Sequence, residues 1–443
     1  MRLSELKTGE TAVIVKILGH GAFRKRMIEM GFVRGRHITA LLSAPLRDPV
    51  KYSLMDYEVS LRRSEASLIE VVPDGEHNGD YDLAKKPVPV TDHDVNDRNC
   101  SDGRFFGESH TINVALIGNP NCGKTSLFNI ASGSKEHVGN YSGVTVDAKK
   151  GTFHYRGYTF NIVDLPGTYS LSSYSPEELY VRRYLQNESP DVIINVVVAS
   201  NLERNLYLTT ELIDMDRSMV IAMNMYDELQ NSGSQLDYDM LGGMIGVPIV
   251  PTVSRTGQGV NDLFDAVINV YEGRHESVRH IHVSLGDDLE NAVSEVKDII
   301  KSDGSVDKHF SPRYLAIKFM EQDAEVEGIL SSAESYARLV AMRDKQRQRI
   351  ERIHNEDITS VIGNAKYGFI AGALAETMER SDKEQASATH LIDVFVTNRL
   401  FGIPIFLMVM FVMFWFTFEV GSYPMEWIET AVSWIGTMLN TYI

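Results

Sequence analysis

Nine residues, GNPNCGKTS at 118–126, have the types and spacing for one chemistry, the holding of phosphate. They fit G-x-x-x-x-G-K-[ST], in which a glycine-containing turn lets backbone N–H groups curl around phosphate oxygens while a helix start adds positive potential. Gly118, Asn119 and Pro120 open the loop, Asn121, Cys122 and Gly123 turn it, and Lys124, Thr125 and Ser126 enter the helix. Lys124 would reach the outer phosphates, and the Thr125 hydroxyl would ligate Mg2+. A tight strand-to-helix turn without a ligand is the plainer reading, but INVALI before the loop and LFNIA after it supply the strand and helix that the motif needs.

A phosphate loop does not separate ATP from GTP. About a hundred residues on, Asn224, Met225, Tyr226 and Asp227 follow the apolar run MVIAM as an N-x-x-D pattern. A carboxylate can accept the ring N1–H and the exocyclic amine of guanine together, and adenine offers no such pair. Asp227 is therefore the expected base reader. Ser254, Arg255 and Thr256 in PTVSRTGQG form the companion loop, with backbone N–H groups near Ser254 and Arg255 directed at guanine O6. Between the two lies DLPG, where Asp164 would hold Mg2+ through water, Leu165 and Pro166 carry the turn, and the Gly167 N–H would sense the γ-phosphate. GVTVD (Gly143, Val144, Thr145, Val146 and Asp147) lies in a loop, and Thr145 would reach Mg2+ only with the γ-phosphate present, as a switch does. Four motifs in this order predict a GTPase that binds GTP and GDP.

These residues need a scaffold that presents loops from one edge. From 111 to about 275, strand runs (INVALI, TFNIVDL, VIINVVVA, MVIAMNM, PIVPTV) alternate with helical segments, which predicts an α/β domain with a mainly parallel sheet. Residues 1–73 alternate apolar and polar positions in short runs and read as a small β-barrel with one helix, AFRKRMIEMG, whose basic residues are expected on a solvated face. Residues 74–110 are polar and rich in Asp, Asn, Gly and Pro, a linker at which proteolysis should separate the barrel from a still active remainder; His77 and His93 there are expected to be part of a plain tether. Residues 276–385 are helical and charged, with no strand run. Within 386–443, the uncharged stretch LFGIPIFLMVMFVMFWFTF at 400–418 is close to the ~20 residues of a bilayer span. Arg399 just before it places residues 1–399 on the cytoplasmic side.

The chain has 443 residues and a net charge of −17, which argues against a nucleic-acid partner for the chain as a whole. Its two cysteines, Cys100 and Cys122, suit a reducing compartment, and the polar opening MRLSELKTGE is no secretory signal.

From 111 onward the motifs GNPNCGKTSLFN, VGNYSGVTVD, DLPGTYSL, NLERNLYLT, NMYD and LFGIPIFLMVMF resemble ferrous iron transport protein B, a bacterial membrane transporter with a cytosolic G domain. Residues 1–73, through GHGAFRKRMIEMGFVRGR, APLRDPVKY and LRRSEASLIEV, resemble the SH3-like ferrous iron transport protein A, so the simplest reading is a fused A–B chain. The resemblance implies a GTP-driven or GTP-gated uptake of Fe2+ across the bacterial inner membrane, and leaves a homo-oligomer open. It implies that the helical segment stabilises bound GDP, and that K+ sits against the phosphates, held by Asn121 and the switch loop. Thr168 stands where Ras-like GTPases have a water-orienting glutamine, so slow intrinsic hydrolysis is expected. Val198 stands where the family has an acidic residue. The family's permease carries many more membrane helices, so these 443 residues are expected to anchor and hydrolyse GTP without moving iron. A membrane-tethered GTPase of ribosome assembly or RNA modification, with the basic stretch at 24–36 touching RNA, is the rival reading, and an iron-sensing module without transport is a third.

Overall fold

The computed structural model describes residues 1–44, 48–55, 57–74, 110–133, 136–140, 147–172, 175–275, 282–306, 310–379, 402–420 and 422–442. The N-terminal unit is built from β1 (Thr11–Ile17), α1 (Ala22–Glu29), β2 (His37–Ser43), β3 (Val50–Leu54), β4 (Tyr57–Leu61), α2 (Arg63–Ala66) and β5 (Ile69–Pro73). Its sheet is antiparallel throughout, in the order β4-β3-β2-β1-β5. Every second residue of β3 and β4 is buried (Val50, Tyr52 and Leu54 against Tyr57, Val59 and Leu61), the two-residue period of a one-sided sheet.

The central unit runs β6 (Thr111–Gly118), α3 (Lys124–Ser132), β7 (Glu136–Asn140), β8 (Asp147–Tyr155), β9 (Tyr158–Asp164), α4 (Pro176–Asn187), β10 (Val192–Val198), α5 (Leu202–Asp214), β11 (Met219–Asn224), α6 (Tyr226–Ser232), β12 (Gln235–Leu236), α7 (Tyr238–Ile245), β13 (Ile249–Pro251) and α8 (Val260–Tyr271). Seven strands lie in the order β13-β11-β10-β6-β9-β8-β7. The first five are parallel, and β8 and β7 add an antiparallel margin that the sequence did not announce. The central strands β10 and β11 are covered on both faces, which is why VIINVVV and MVIAMN are continuous rather than alternating apolar runs. The chain leaves β6 toward β9 on one side and β10 on the other, so the loops after β6, β9 and β11 open into one crevice at the carboxyl edge, where such sheets bind ligands.

Among the described residues five helices follow up to Thr377: α9 (Asp287–Ser302), α10 (Pro312–Met320), α11 (Ala324–Leu330), α12 (Tyr336–His354) and α13 (Ile358–Thr377). Against the expectation of no strand here, the short β14 (Met378–Glu379) pairs antiparallel with β12 and ties this unit to the central one.

The N-terminal unit is docked against both others. Of the basic residues expected on a solvated face, Arg26 is exposed, but two meet acids across the boundary: Arg24 lies 3.7 Å from Asp357 and Lys25 3.9 Å from Glu321, and beyond the helix Arg34 lies 3.2 Å from Glu356. Arg36 pairs with Glu203 of α5. The sequence misled here because a charged helix face reads the same whether water or another domain covers it.

The apolar tail also differs from expectation. In place of one span at 400–418 there is a helix Gly402–Trp415, a π-turn Phe416–Val420 and a second helix Ser422–Tyr442. Among the described residues no helix is long and apolar enough to cross a membrane. The α-helical part, Gly402–Trp415, rises about 21 Å and runs directly into the π-turn.

Candidate nucleotide-binding site

β6 delivers the phosphate loop and α3 continues from it. Lys124, the first residue of α3, is buried and curls back over the loop, its ammonium donating to the carbonyl oxygens of Gly118 and Asn119, both at 2.9 Å. Gly123 has φ 91°, and a Cβ there would fall 2.1 Å from Asn224 Nδ2, so both conformation and space exclude any other residue. Asn121 has φ 62° and is exposed at the turn. The Cys122 thiol is buried, and burial pushes its pKa up despite Lys124, which makes it a packing group rather than a nucleophile. Ser126 is exposed at the third position of α3.

The end of β9 brings Asp164 to this loop. Thr125 Oγ1 donates to Asp164 Oδ2 at 2.8 Å, so the two expected magnesium residues are already adjacent. Burial raises the Asp164 carboxyl above its ordinary value, while the Thr125 bond, Lys124 and Lys149 oppose it. Asp164 Oδ1 is buried and has no hydrogen-bond partner among the described residues. An orphaned carboxylate oxygen beside a threonine hydroxyl fits a divalent cation completed by water and phosphate oxygens. Among the described residues no three His, Cys, Asp or Glu side chains converge as a metal site. Gly167 approaches the loop so closely that a Cβ would lie 2.8 Å from Pro120 Cα and 3.2 Å from Lys124 Nζ. Leu165 N–H donates to Leu116 O and Thr168 N–H to Gly118 O, which pins the turn on both sides of Pro166.

The base side is organised by Asn224. Its Nδ2 donates to Cys122 O at 2.8 Å, and its Oδ1 accepts from both the N–H and the hydroxyl of Ser254, each at 2.8 Å. One amide thus locks the phosphate loop to the loop after β13. Met225 takes φ 56° at the start of α6, with Tyr226 and Asp227 next on the first turn. Asp227 is part-exposed, and the Arg255 guanidinium lies 3.5 Å from its Oδ2.

One expectation needs correction. The Ser254 N–H is spent on Asn224, and the Thr256 N–H donates to Val253 O, so neither points at a base. Of the three residues, Arg255 is left to offer its N–H. Gly143, Val144, Thr145 and Val146 lie outside the described residues, and Asp147 opens β8, opposite Asn140. Val198 ends β10, and its N–H donates to Asn205 Oδ1 at 3.3 Å, so its apolar side chain leaves the backbone bond of that turn intact.

Sequence reasoning missed three carboxylates just beyond DLPG. Ser170 Oγ donates to Glu29 Oε1 at 2.8 Å, Leu171 N–H to Glu211 Oε2 at 2.5 Å, and Ser172 Oγ to Glu178. Lys318 and Lys366, which hold Glu211, are the single charges in the apolar runs YLAIKFM and NAKYGFIAGAL, and Glu211 shares LYLTTELID with Asp214 alone; that pattern is the signal that could have found them.

Comparison with known proteins agrees with this geometry. The family model described as ferrous iron transport protein B matches residues 112–267, the FeoA domain model 1–73, and the FeoB cytosolic helical domain model 286–379. A GDP-bound crystal structure of the S. thermophilus FeoB G-domain is covered over 100% of its length at 38% identity and a TM-score of 0.55, spanning 60% of this chain. This chain belongs to the FeoB family. Its G domain is a GTPase domain of the FeoB type, preceded by a FeoA domain in the same polypeptide. A fusion of Fe(2+) transport protein A with the Fe(2+) transporter FeoB from Porphyromonas gingivalis is 47% identical over 100% of this chain and 55% of the relative. The Fe(2+) transporter FeoB of Escherichia coli K12 is 34% identical over 70% of this chain and 39% of that protein. The chain thus spans about half the length of the relatives it matches.

Proposed function

We propose that the G domain binds GTP, hydrolyses it with Mg2+ and K+, and passes its state to the cytosolic domains of a ferrous iron transporter of the bacterial inner membrane. The observation that carries the reading is the Asn224 bridge, which fixes a base-reading carboxylate, Asp227, at a set distance from the phosphate loop. Lys124 would exchange its carbonyl partners for β- and γ-phosphate oxygens, and Asp227 would exchange Arg255 for the two guanine donors. Thr125 and Asp164 would hold Mg2+, which when bound supplies positive charge to the phosphate oxygens in the transition state. Asn121, exposed on the turn of the phosphate loop, would offer its amide oxygen to K+. Gly167, already against Pro120 and Lys124, would report the γ-phosphate to the segment behind it.

Thr168 does not orient water as a Ras-type glutamine does. Thr168 is buried and its hydroxyl donates to Ser170 O, so it turns away from the nucleotide. Transition-state charge would then come from a monovalent cation, and Asn121→Ala should abolish a potassium-over-sodium rate advantage of about tenfold or more while leaving GTP affinity within about threefold. Single-turnover hydrolysis in K+ and in Na+ reads this, and equal rates for the unmodified chain would remove Asn121 from the mechanism.

The membrane and iron roles are supported by the relatives and by the tail. Phe411, Phe418 and Trp427 are each at least 70% exposed, an apolar surface that lipid would cover. The RNA rival loses its main support, because the basic residues at 24–36 are paired with Asp357, Glu321, Glu65, Glu356 and Glu203.

A further inference from the structure

We propose that Glu29, carried by the N-terminal domain, is a positioning residue for the switch segment 168–172, so that docking of that domain and movement of the switch are one coupled event. The proposal rests on reading DLPG as the nucleotide-responsive switch. Three consecutive residues behind it are each held by a carboxylate from a different element. Glu29 at the end of α1 takes the Ser170 hydroxyl, Glu211 of α5 takes the Leu171 N–H, and Glu178 of α4 takes the Ser172 hydroxyl. Glu211 is in turn held by Lys318 of α10 at 2.5 Å, which brings the helical domain to the same point. Thr168 N–H bonds to Gly118 O in the phosphate loop, so one residue, Tyr169, separates this phosphate-loop contact from the Ser170–Glu29 bond.

A second bridge runs beside the first. The Arg204 guanidinium lies 4.1 Å from the ring centroid of Tyr169 in the switch and 4.2 Å from that of Tyr57 in the N-terminal domain. A cation shared between two rings couples their positions. Tyr367 of α13 donates to the Glu29 backbone oxygen at 3.2 Å, and Tyr57 to that of Met30, which fixes the end of α1 over the switch. A shift of about an ångström at Gly167 cannot be absorbed without breaking the Ser170–Glu29 bond or moving α1, since packed interfaces switch between states rather than deform.

The linkage to protons gives this a signature that simple packing lacks. Burial, then the charges of Glu178 and Glu211, push the Glu29 carboxyl up to about 8 from 4.5, against Lys25 and the Ser170 bond. The charged and titratable groups around it are Lys25 on its own helix, Glu178 on α4, Tyr207 and Glu211 on α5, Lys318 on α10 and Glu321 just after it, and Tyr367 on α13. A raised carboxyl value means that docking takes up a proton. Its contribution is present in full below the undocked value of 4.5 and is lost as pH rises through 8. The docking constant should therefore fall about tenfold per pH unit between about pH 5 and pH 8.

Hydrogen exchange on the full chain in detergent, without nucleotide and with times scaled to the intrinsic rate, tests this. Protection of the peptide spanning 168–172 should fall at least about tenfold from pH 6 to pH 8. In Glu29→Gln, whose neutral amide still accepts the Ser170 hydroxyl, it should change less than about threefold. Ser170→Ala should lose about tenfold protection at pH 6. A flat profile in the unmodified chain, or the same fall in Glu29→Gln, would overturn the proposal. Single-turnover GTP hydrolysis at the two pH values separates the layers. The expected exchange pattern without any hydrolysis would leave Glu29 in place and overturn the nucleotide reading instead.

Discussion

Asp227→Asn should move the preference of the chain from GTP to xanthosine triphosphate, with at least about a hundredfold loss for GTP. The carboxylate accepts from guanine N1–H and its amine together, whereas an asparagine amide would place a donor against that amine and suit the carbonyl that xanthine carries there. The Asn224 bridge does not involve Asp227, so the loops should stay in place and the loss should be specific to the base. Arg255 loses its partner in this variant, but that pair is exposed at 3.5 Å and contributes at most about 1 kcal/mol. Competition of GTP and xanthosine triphosphate for the same chain reads the switch. Loss of both nucleotides alike would mean that Asp227 holds the loop rather than the base.

Glu211→Ala should cost about 3–5 kcal/mol of stability. Glu211 is 1% exposed and lies 2.5 Å from Lys318 and 3.7 Å from Lys366, both equally buried. Burial alone would raise its carboxyl, yet the two ammonium groups outweigh that and hold it well below the usual carboxylate range. Its removal leaves two lysines out of water, with Glu321 and Asp214 as their remaining partners, and frees the Leu171 N–H. Arg183→Ala, which breaks the part-exposed pair with Glu325, should cost no more than about 1 kcal/mol. Urea denaturation of the two variants side by side measures the difference. Equal costs would show that the buried cluster is already satisfied without Glu211.

Much of this was legible because local chemistry and global position coincide. GNPNCGKTS can only be a turn between strand and helix, and VIINVVV and MVIAMN are too continuously apolar to be anything but covered strands. What the sequence hid depends on partners far along the chain. In β8, Gly151 is buried while Thr152 and His154 face water, an alternation that a glycine and two lysines disguise as loop. Glu29, 141 residues from Ser170, sits in RKRMIE and looks like any surface acid. The Ser254 N–H looked available for guanine because nothing local shows that Asn224, 30 residues earlier, claims it first. The apolar run of the tail is unbroken in sequence, and only the backbone shows the change to a π-turn at Phe416–Val420.

Calorimetric titration of the full chain with GTP and, separately, with ATP, in Mg2+ and K+, bears most directly on the assignment of the G domain. GTP should bind at least about a hundredfold more tightly than ATP, because adenine presents no donor pair to Asp227 and leaves its charge unpaired. Equal affinities for the two nucleotides would contradict a guanine site at Asp227, and with it the reading of the chain as a GTP-dependent switch.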